Sequence, residues 1–301
     1  MKFGVMIFQG GFTYPQIKEL WLKSEKFGFD SVWAYDHLND CLEGWTLISS
    51  LAPLSENIRF GLMVTCNSYR HPPLLAKMAA TLDIISNGRL EFGIGAGDAP
   101  SEYEGYGYPC PKASTRIEQL EEALRIIKMI WTEERPTYRG KYYSIKEARN
   151  KPKPVQKPHP PIWIGSLSGK RLISRVAALH ADVYNVRAWN PTDYLNKMEV
   201  FKGSCRSVGR RYEDVVKTIH VDFAIARTRS KIKEKLREYA EFRRLPVDEC
   251  KKVCIHGTPE TCAEKVKEYA DLGVQGMIWC FQPNKRMEDL QLLSEVIQQF
   301  K

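Results

Sequence analysis

No run of about 18 uninterrupted apolar residues occurs in this 301-residue chain, which removes the usual signature of a membrane-spanning helix. A signal-peptide layout is also missing. Met1-Lys2-Phe3-Gly4 enters a short strand at once, so a cytoplasmic location is expected. Neither a Gly/Ser tract nor a block of like charge divides the chain. Residues 1–301 therefore read as one domain, at a length that α/β barrels commonly reach.

Paired metal-binding motifs are lacking too. The eight cysteines are scattered, and without a secretion signal they are expected to be reduced thiols. Cys250 and Cys254 lie one helical turn apart with His256 near, but no second pair accompanies them, and no metal is expected. The net charge is +9. Basic residues are densest from Lys202 to Arg211 and from Arg227 to Arg244, with acids mixed among them. No nucleic-acid-binding motif goes with that charge, so an anionic small molecule is the expected partner rather than nucleic acid.

Short β-like runs alternate with longer helical ones along the chain, the pattern of a parallel sheet wrapped by helices. Strands are expected at Phe3 to Phe8, Ser31 to Tyr35, Ile58 to Val64, Arg89 to Ile94, Pro161 to Ile164, Asp182 to Val186, Thr218 to Ala226 and Gly276 to Cys280. Eight strands with helices between them make an α/β fold, a single (β/α)8 TIM-type barrel. The proline-rich stretch from Glu133 to Pro160 interrupts the rhythm. It reads as a surface insertion with a small hairpin around Gly140.

Two strand tips carry proton-handling groups. Ser31-Val32-Trp33-Ala34-Tyr35 ends in Asp36-His37, and Arg89 to Ile94 runs into Gly95-Ala96-Gly97-Asp98. In a barrel both tips open into one mouth. A strand-end His exchanges protons near neutral pH, and a carboxylate beside it tunes it. The bland alternative is a helix-capping Asp and a packed His; the second acid, Asp98, at the same rim favours function. The glycine run matches a dinucleotide fingerprint only in part, because the third glycine is missing and no helix follows at once. Ile162 to Ile164 enters Gly165-Ser166-Leu167-Ser168-Gly169-Lys170-Arg171. That turn is either an ordinary strand-to-helix loop or a phosphate site built from backbone N–H groups and hydroxyls.

Together these segments resemble the luciferase-like superfamily of flavin- and deazaflavin-dependent oxidoreductases. The carriers are Trp33-Ala34-Tyr35-Asp36-His37, Glu43-Gly44-Trp45-Thr46, Tyr69-Arg70-His71-Pro72, Ser86-Asn87-Gly88-Arg89-Leu90, Gly95-Ala96-Gly97, Lys153 to Pro158 with Pro160 to Gly165, and His256-Gly257-Thr258-Pro259-Glu260. The Asp-His pair is most similar to the coenzyme F420 branch. The resemblance implies a homodimer with an isoalloxazine-like ring in the mouth and hydride transfer to or from a small-molecule substrate. His37 and Asp98 would handle the proton. Asp36, Leu62, Met63, Thr65, Gly95, Ala96, Gly97, Gly165, Ser166, Ser168 and Gly169 would hold the cofactor. A non-prolyl cis peptide near Leu62-Met63 would back the ring, and Trp45 either walls the pocket or packs in the core. The alternative is an FMN-dependent monooxygenase of the same superfamily. An alcohol, a sugar phosphate, a pterin-bound one-carbon unit and a nicotinamide cofactor all remain open as substrates.

Overall fold

Each barrel strand is a short apolar run closed by a helix start. Thr13 and Gln16 cap the helix Tyr14–Lys26, with the Thr13 N–H donating to Gln16 Oε1 at 2.8 Å. Asn190-Pro191 and Thr258-Pro259 open later helices in the same manner, with a polar cap followed by proline at the first helical position. The computed structural model describes all of residues 1–301.

The barrel strands are β1 (Lys2–Ile7), β2 (Ser31–Ala34), β3 (Arg59–Leu62), β4 (Leu90–Gly95), β5 (Ile162–Ser166), β6 (Val183–Arg187), β7 (Val216–Ile225) and β8 (Gly276–Phe281). All neighbours are parallel, and β8 closes on β1 in register from Lys2↔Gly276 to Ile7↔Phe281. This is the expected TIM-type barrel with helices outside. A core of 65 buried residues lies largely between strands and helices. Inside the barrel a smaller cluster, including Met6, Trp33, Met63, Trp163 and Ile278, plugs the space below the mouth. The Trp33 and Trp163 rings meet there at 4.6 Å.

The structure adds local detail to the sequence pattern. The third strand stops at Leu62, turns through Met63 and Val64, and resumes as a short strand Thr65–Cys66 that pairs with β4. A strand Cys254–Gly257 pairs with the outer half of β7. The helix Val247–Val253 ends just before it, so Cys250 and Cys254 do not share a helix face. No group of three His, Cys, Asp or Glu side chains is placed to hold a metal ion, and all eight cysteines are free. No helix is long and apolar enough to cross a membrane.

The insertion from 133 to 160 carries the hairpin Tyr138–Arg139 with Ser144–Ile145. It is tied to the barrel through Gln156. The Gln156 backbone N–H donates to Asp83 Oδ2 at 3.0 Å and its side-chain amide to Asp83 Oδ1 at 2.7 Å. Arg59 in turn donates to Gln156 Oε1 at 2.7 Å and pairs with buried Glu91 inside the barrel.

Candidate active site

The C-terminal ends of the strands open into a cavity of about 450 Å³. Both expected strand tips lie on it. Asp36 and His37 follow β2, while Ala96, Gly97 and Asp98 follow β4, and all five line the cavity. Asp98 is exposed there.

Asp36 faces the protein. Its carboxylate is wholly buried. It accepts from Arg70 Nη1 at 2.7 Å, from Arg70 Nη2 at 2.9 Å and from the Cys66 N–H at 2.9 Å. Arg70 also pairs with Glu43, which caps the helix Gly44–Leu51 through the Trp45 and Thr46 N–H groups. Asp36 thus locks the end of β2 to the strand that resumes at Thr65. Trp45 packs in the core against Phe92, with rings 6.3 Å apart.

His37 is half-exposed and turned toward the mouth. Its Nδ1 lies 2.8 Å from Glu102 Oε1. Glu102 sits on the short helix Pro100–Gly105 and is almost fully buried. Its other oxygen accepts from the Tyr69 hydroxyl at 2.7 Å and from the Leu38 N–H at 3.2 Å. Burial pushes this carboxyl up, but the Tyr69, His37 and Leu38 donors together hold it below the ordinary carboxylate value. A carboxylate with donors on both oxygens requires an Nδ1–H on His37, which leaves Nε2 without a protein partner.

Behind the mouth a non-prolyl cis peptide joins Met63 and Val64, one bond beyond the expected Leu62-Met63. Val64 projects between two glycines. A Cβ built at Gly95 would lie 2.6 Å from Val64 Cγ2, and one at Gly165 would lie 2.7 Å from Val64 Cγ1. Only residues without side chains admit this ridge, which gives the cavity an apolar wall suited to a flat ring. Met63, Val64, Gly95 and Gly165 line the cavity. Leu62 and Thr65 lie behind it, and the buried Thr65 hydroxyl has no partner.

The turn after β5 also opens on the cavity through Gly165, Ser166, Leu167 and Ser168. Gly169 does not. It adopts a φ of +60°, packs against Lys197, and spends its N–H on Ser166 Oγ at 2.9 Å. Ser168 Oγ accepts from the Lys170 N–H at 3.4 Å. The Ser166 hydroxyl turns to Tyr184, and the exposed Ser168 hydroxyl hydrogen remains available to an anion at the start of the helix Arg171–His180.

Sequence reasoning missed Glu102, because Ser101-Glu102-Tyr103 reads as a solvated helix turn. It also gave no role to Asn185, Arg187 and His220, which line the cavity from β6 and β7. The available signal was polar residues at every second place of Thr218-Ile219-His220-Val221-Asp222, all on the inward face of an otherwise apolar strand.

The family described as luciferase-like monooxygenase matches residues 1–246. An F420-dependent glucose-6-phosphate dehydrogenase from Microbacterium testaceum is 28% identical, over 93% of this chain and 91% of its own length. Two solved structures superpose on the whole chain and on 99% of their own. One is an F420-dependent secondary alcohol dehydrogenase in complex with an F420-acetone adduct, at a TM-score of 0.88 and 19% identity. The other is a coenzyme F420-dependent tetrahydromethanopterin reductase from Methanopyrus kandleri, at 0.85 and 20%.

Proposed function

The chain belongs to the luciferase-like monooxygenase family, and from that premise we propose that it is a coenzyme F420-dependent oxidoreductase acting on a small molecule. The observation that carries this reading is the oriented His37, its Nδ1 held by Glu102 at 2.8 Å, in the same cavity as an apolar wall made by Val64 between Gly95 and Gly165. The F420-dependent proteins similar to this chain support the same choice.

A deazaflavin, when bound, supplies a carbon that exchanges hydride in two-electron steps and reacts poorly with oxygen. The chain's own residues do the rest. Val64 and the two glycines would support the ring from behind. The turn from Gly165 to Ser168 would hold the anionic tail, with the Ser168 hydroxyl as a donor. His37 Nε2 takes the hydroxyl proton of an alcohol as hydride leaves it, and returns that proton in the reverse direction. Asp98, exposed at the same rim, serves as the second proton group. The reading carries with it a homodimer, as the resemblance implies, and a cytoplasmic location. Light scattering should then give about twice the 34.7 kDa chain mass.

The test is a titration of the purified protein with F420 and, separately, with FMN, followed by ligand fluorescence. Saturable quenching of F420 with none for FMN is expected. Tight FMN binding without F420 binding would move the protein to the oxygen-activating side of the family. His37→Asn should keep F420 binding and lower turnover by about 10²- to 10⁴-fold.

A further inference from the structure

The cavity has two unlike sides. Val64 fills the space at Gly95 and Gly165, on the side of β4 and β5, and Asp98 and Ser168 line that side too. β1 lies four strands from β5 in the closed ring, directly across the mouth. Alternation along the strands turns Met6 and Phe8 of the β1 segment and Trp33 and Tyr35 of the β2 segment inward. Met6 and Trp33 join the plug below the mouth. Phe8 and Tyr35, one step higher, line the cavity.

These rings form one continuous aromatic wall. Phe8 and Tyr35 meet at 4.4 Å. Tyr35 stands edge-on to His37 at 5.0 Å. Phe242, at the end of the helix Arg229–Arg243, meets Phe8 edge-on at 5.9 Å and is exposed.

The polar side chains around this wall are already engaged. Gln9 Nε2 donates to the Tyr35 and Leu42 carbonyls, each at 3.0 Å, and Gln9 Oε1 accepts from the Tyr35 N–H at 2.8 Å. The Tyr35 hydroxyl accepts from the Gly10 N–H at 2.9 Å and turns its proton to Cys41. Asp36 is taken by Arg70 and the Cys66 N–H. His37 Nε2 alone is left free. No Lys or Arg lines the cavity from β1, β2 or β8. The lining cations stand elsewhere, Arg116 at the Gly97 carbonyl after β4 and Arg187 at the Asp222 carboxylate of β7.

A group bound beside His37 on this side therefore meets aromatic rings and one bare imidazole nitrogen. A phosphate finds no cation there. Each sugar hydroxyl pressed onto Phe8 gives up water without gaining a partner. A flat apolar group gives up nothing and gains ring-to-ring contact.

We infer that the substrate is an uncharged alcohol, or the matching ketone, whose reacting carbon bears an aryl group. Its hydroxyl meets His37 Nε2 and its aryl ring lies against Phe8, so that Phe8, backed by Phe242, sets specificity. In oxidation the C–H bond breaks, its electron pair leaving as hydride to the deazaflavin. The O–H proton goes to His37 Nε2, and the C=O bond forms; reduction reverses each transfer. The inference rests on the proposed function and narrows its substrate.

The test first titrates the purified protein with F420 by fluorescence quenching. Turnover is then measured with F420 and racemic 1-phenylethanol, 2-propanol or glucose 6-phosphate, and in reverse with reduced F420 and acetophenone or acetone. A pocket separates ligands by about 10- to 200-fold for a single methylene, so kcat/KM for the phenyl compound should exceed that for its methyl counterpart by about 100-fold. Glucose 6-phosphate should not be oxidised. Phe8→Ala should cut the phenyl-to-methyl ratio to about tenfold or less. The ratio is taken within one sample, so loss of folded protein cancels. If Phe8→Ala cannot be purified, Phe242→Ala, at an exposed position, should cut the ratio by about threefold. Quenching accompanied by a ratio near one, by a ratio that the variant leaves unchanged, by preference for glucose 6-phosphate or by turnover of none of these compounds overturns the inference and leaves the F420 reading in place. Absence of quenching overturns the F420 reading and this inference with it.

Discussion

Glu102 Oε1 lies 2.8 Å from Nδ1 of His37, across 65 positions of sequence. The carboxylate touches no part of the cavity itself, so its effect on chemistry passes through the imidazole. Glu102→Gln keeps the shape but must turn an NH₂ toward one of three donors. Turnover should fall by about 10- to 100-fold, a part of the 10² to 10⁴ that an oriented acid–base group supplies. KM and F420 affinity should stay as they are, because ground-state binding is untouched. Steady-state kinetics and fluorescence quenching read both quantities. An unchanged kcat would remove Glu102 from the proton path.

The same carboxyl makes stability depend on pH. Its folded value lies below the ordinary 4.5, so the unfolded chain binds the proton more readily. The stabilisation is complete above that ordinary value and is lost as pH falls through the depressed one. Thermal melts from pH 6 downward should show the wild-type Tm dropping more steeply below about pH 4.5 than that of Glu102→Gln. Parallel curves would show that the Tyr69, His37 and Leu38 donors do not favour the ionised form.

Val64 occupies space that Gly95 and Gly165 leave open. Gly165→Ala should force the valine aside, cost about 1–3 kcal/mol of stability and weaken F420 binding. Shortening the valine makes room for the new methyl. The double variant Gly165→Ala, Val64→Ala should regain part of the lost affinity. If it binds no better than Gly165→Ala alone, the contact between the two residues does not explain the loss.

Asp83 is fully buried and takes two hydrogen bonds from Gln156. Asp83→Ala should free the insertion from the barrel at a cost of about 1–3 kcal/mol. Trypsin should then cut faster within residues 133–160, at sites such as Lys146 and Arg149, which are not followed by proline, while the barrel stays whole. Cleavage spread evenly over the chain would point to general unfolding instead.

The strands were legible because each is a short β-rich run with turn residues at its end. Those runs lie within two residues of β1 to β8, and Ile58 to Val64 runs past the end of β3 at Leu62. There the backbone leaves the strand at Met63, a departure set by packing against Gly95 and Gly165 from distant segments. His37 was legible because a titratable group at a strand tip breaks the local pattern. Asp36 stood out for the same reason, yet its carboxylate is spent on Arg70 and Cys66. Tyr69-Arg70-His71-Pro72 read as a helix entrance, and only the fold shows that Arg70 reaches back 34 positions. Glu102 and Arg187 become partners of the mouth through tertiary contacts that no window of sequence contains.

The order in which the barrel can close has a consequence for how the chain is made. β1 bonds on one side to β2, which follows within about 25 residues, and on the other to β8, about 270 residues later. At roughly 5–20 residues per second of synthesis, the outer edge of Lys2–Ile7 stays without its partner for roughly 13 to 54 seconds. That edge carries Phe3, Val5, Met6 and Ile7, all buried once the ring is shut. Until Gly276–Phe281 emerges, Lys2–Ile7 presents an open apolar edge. Whatever shields nascent chains in the cell must cover it longest.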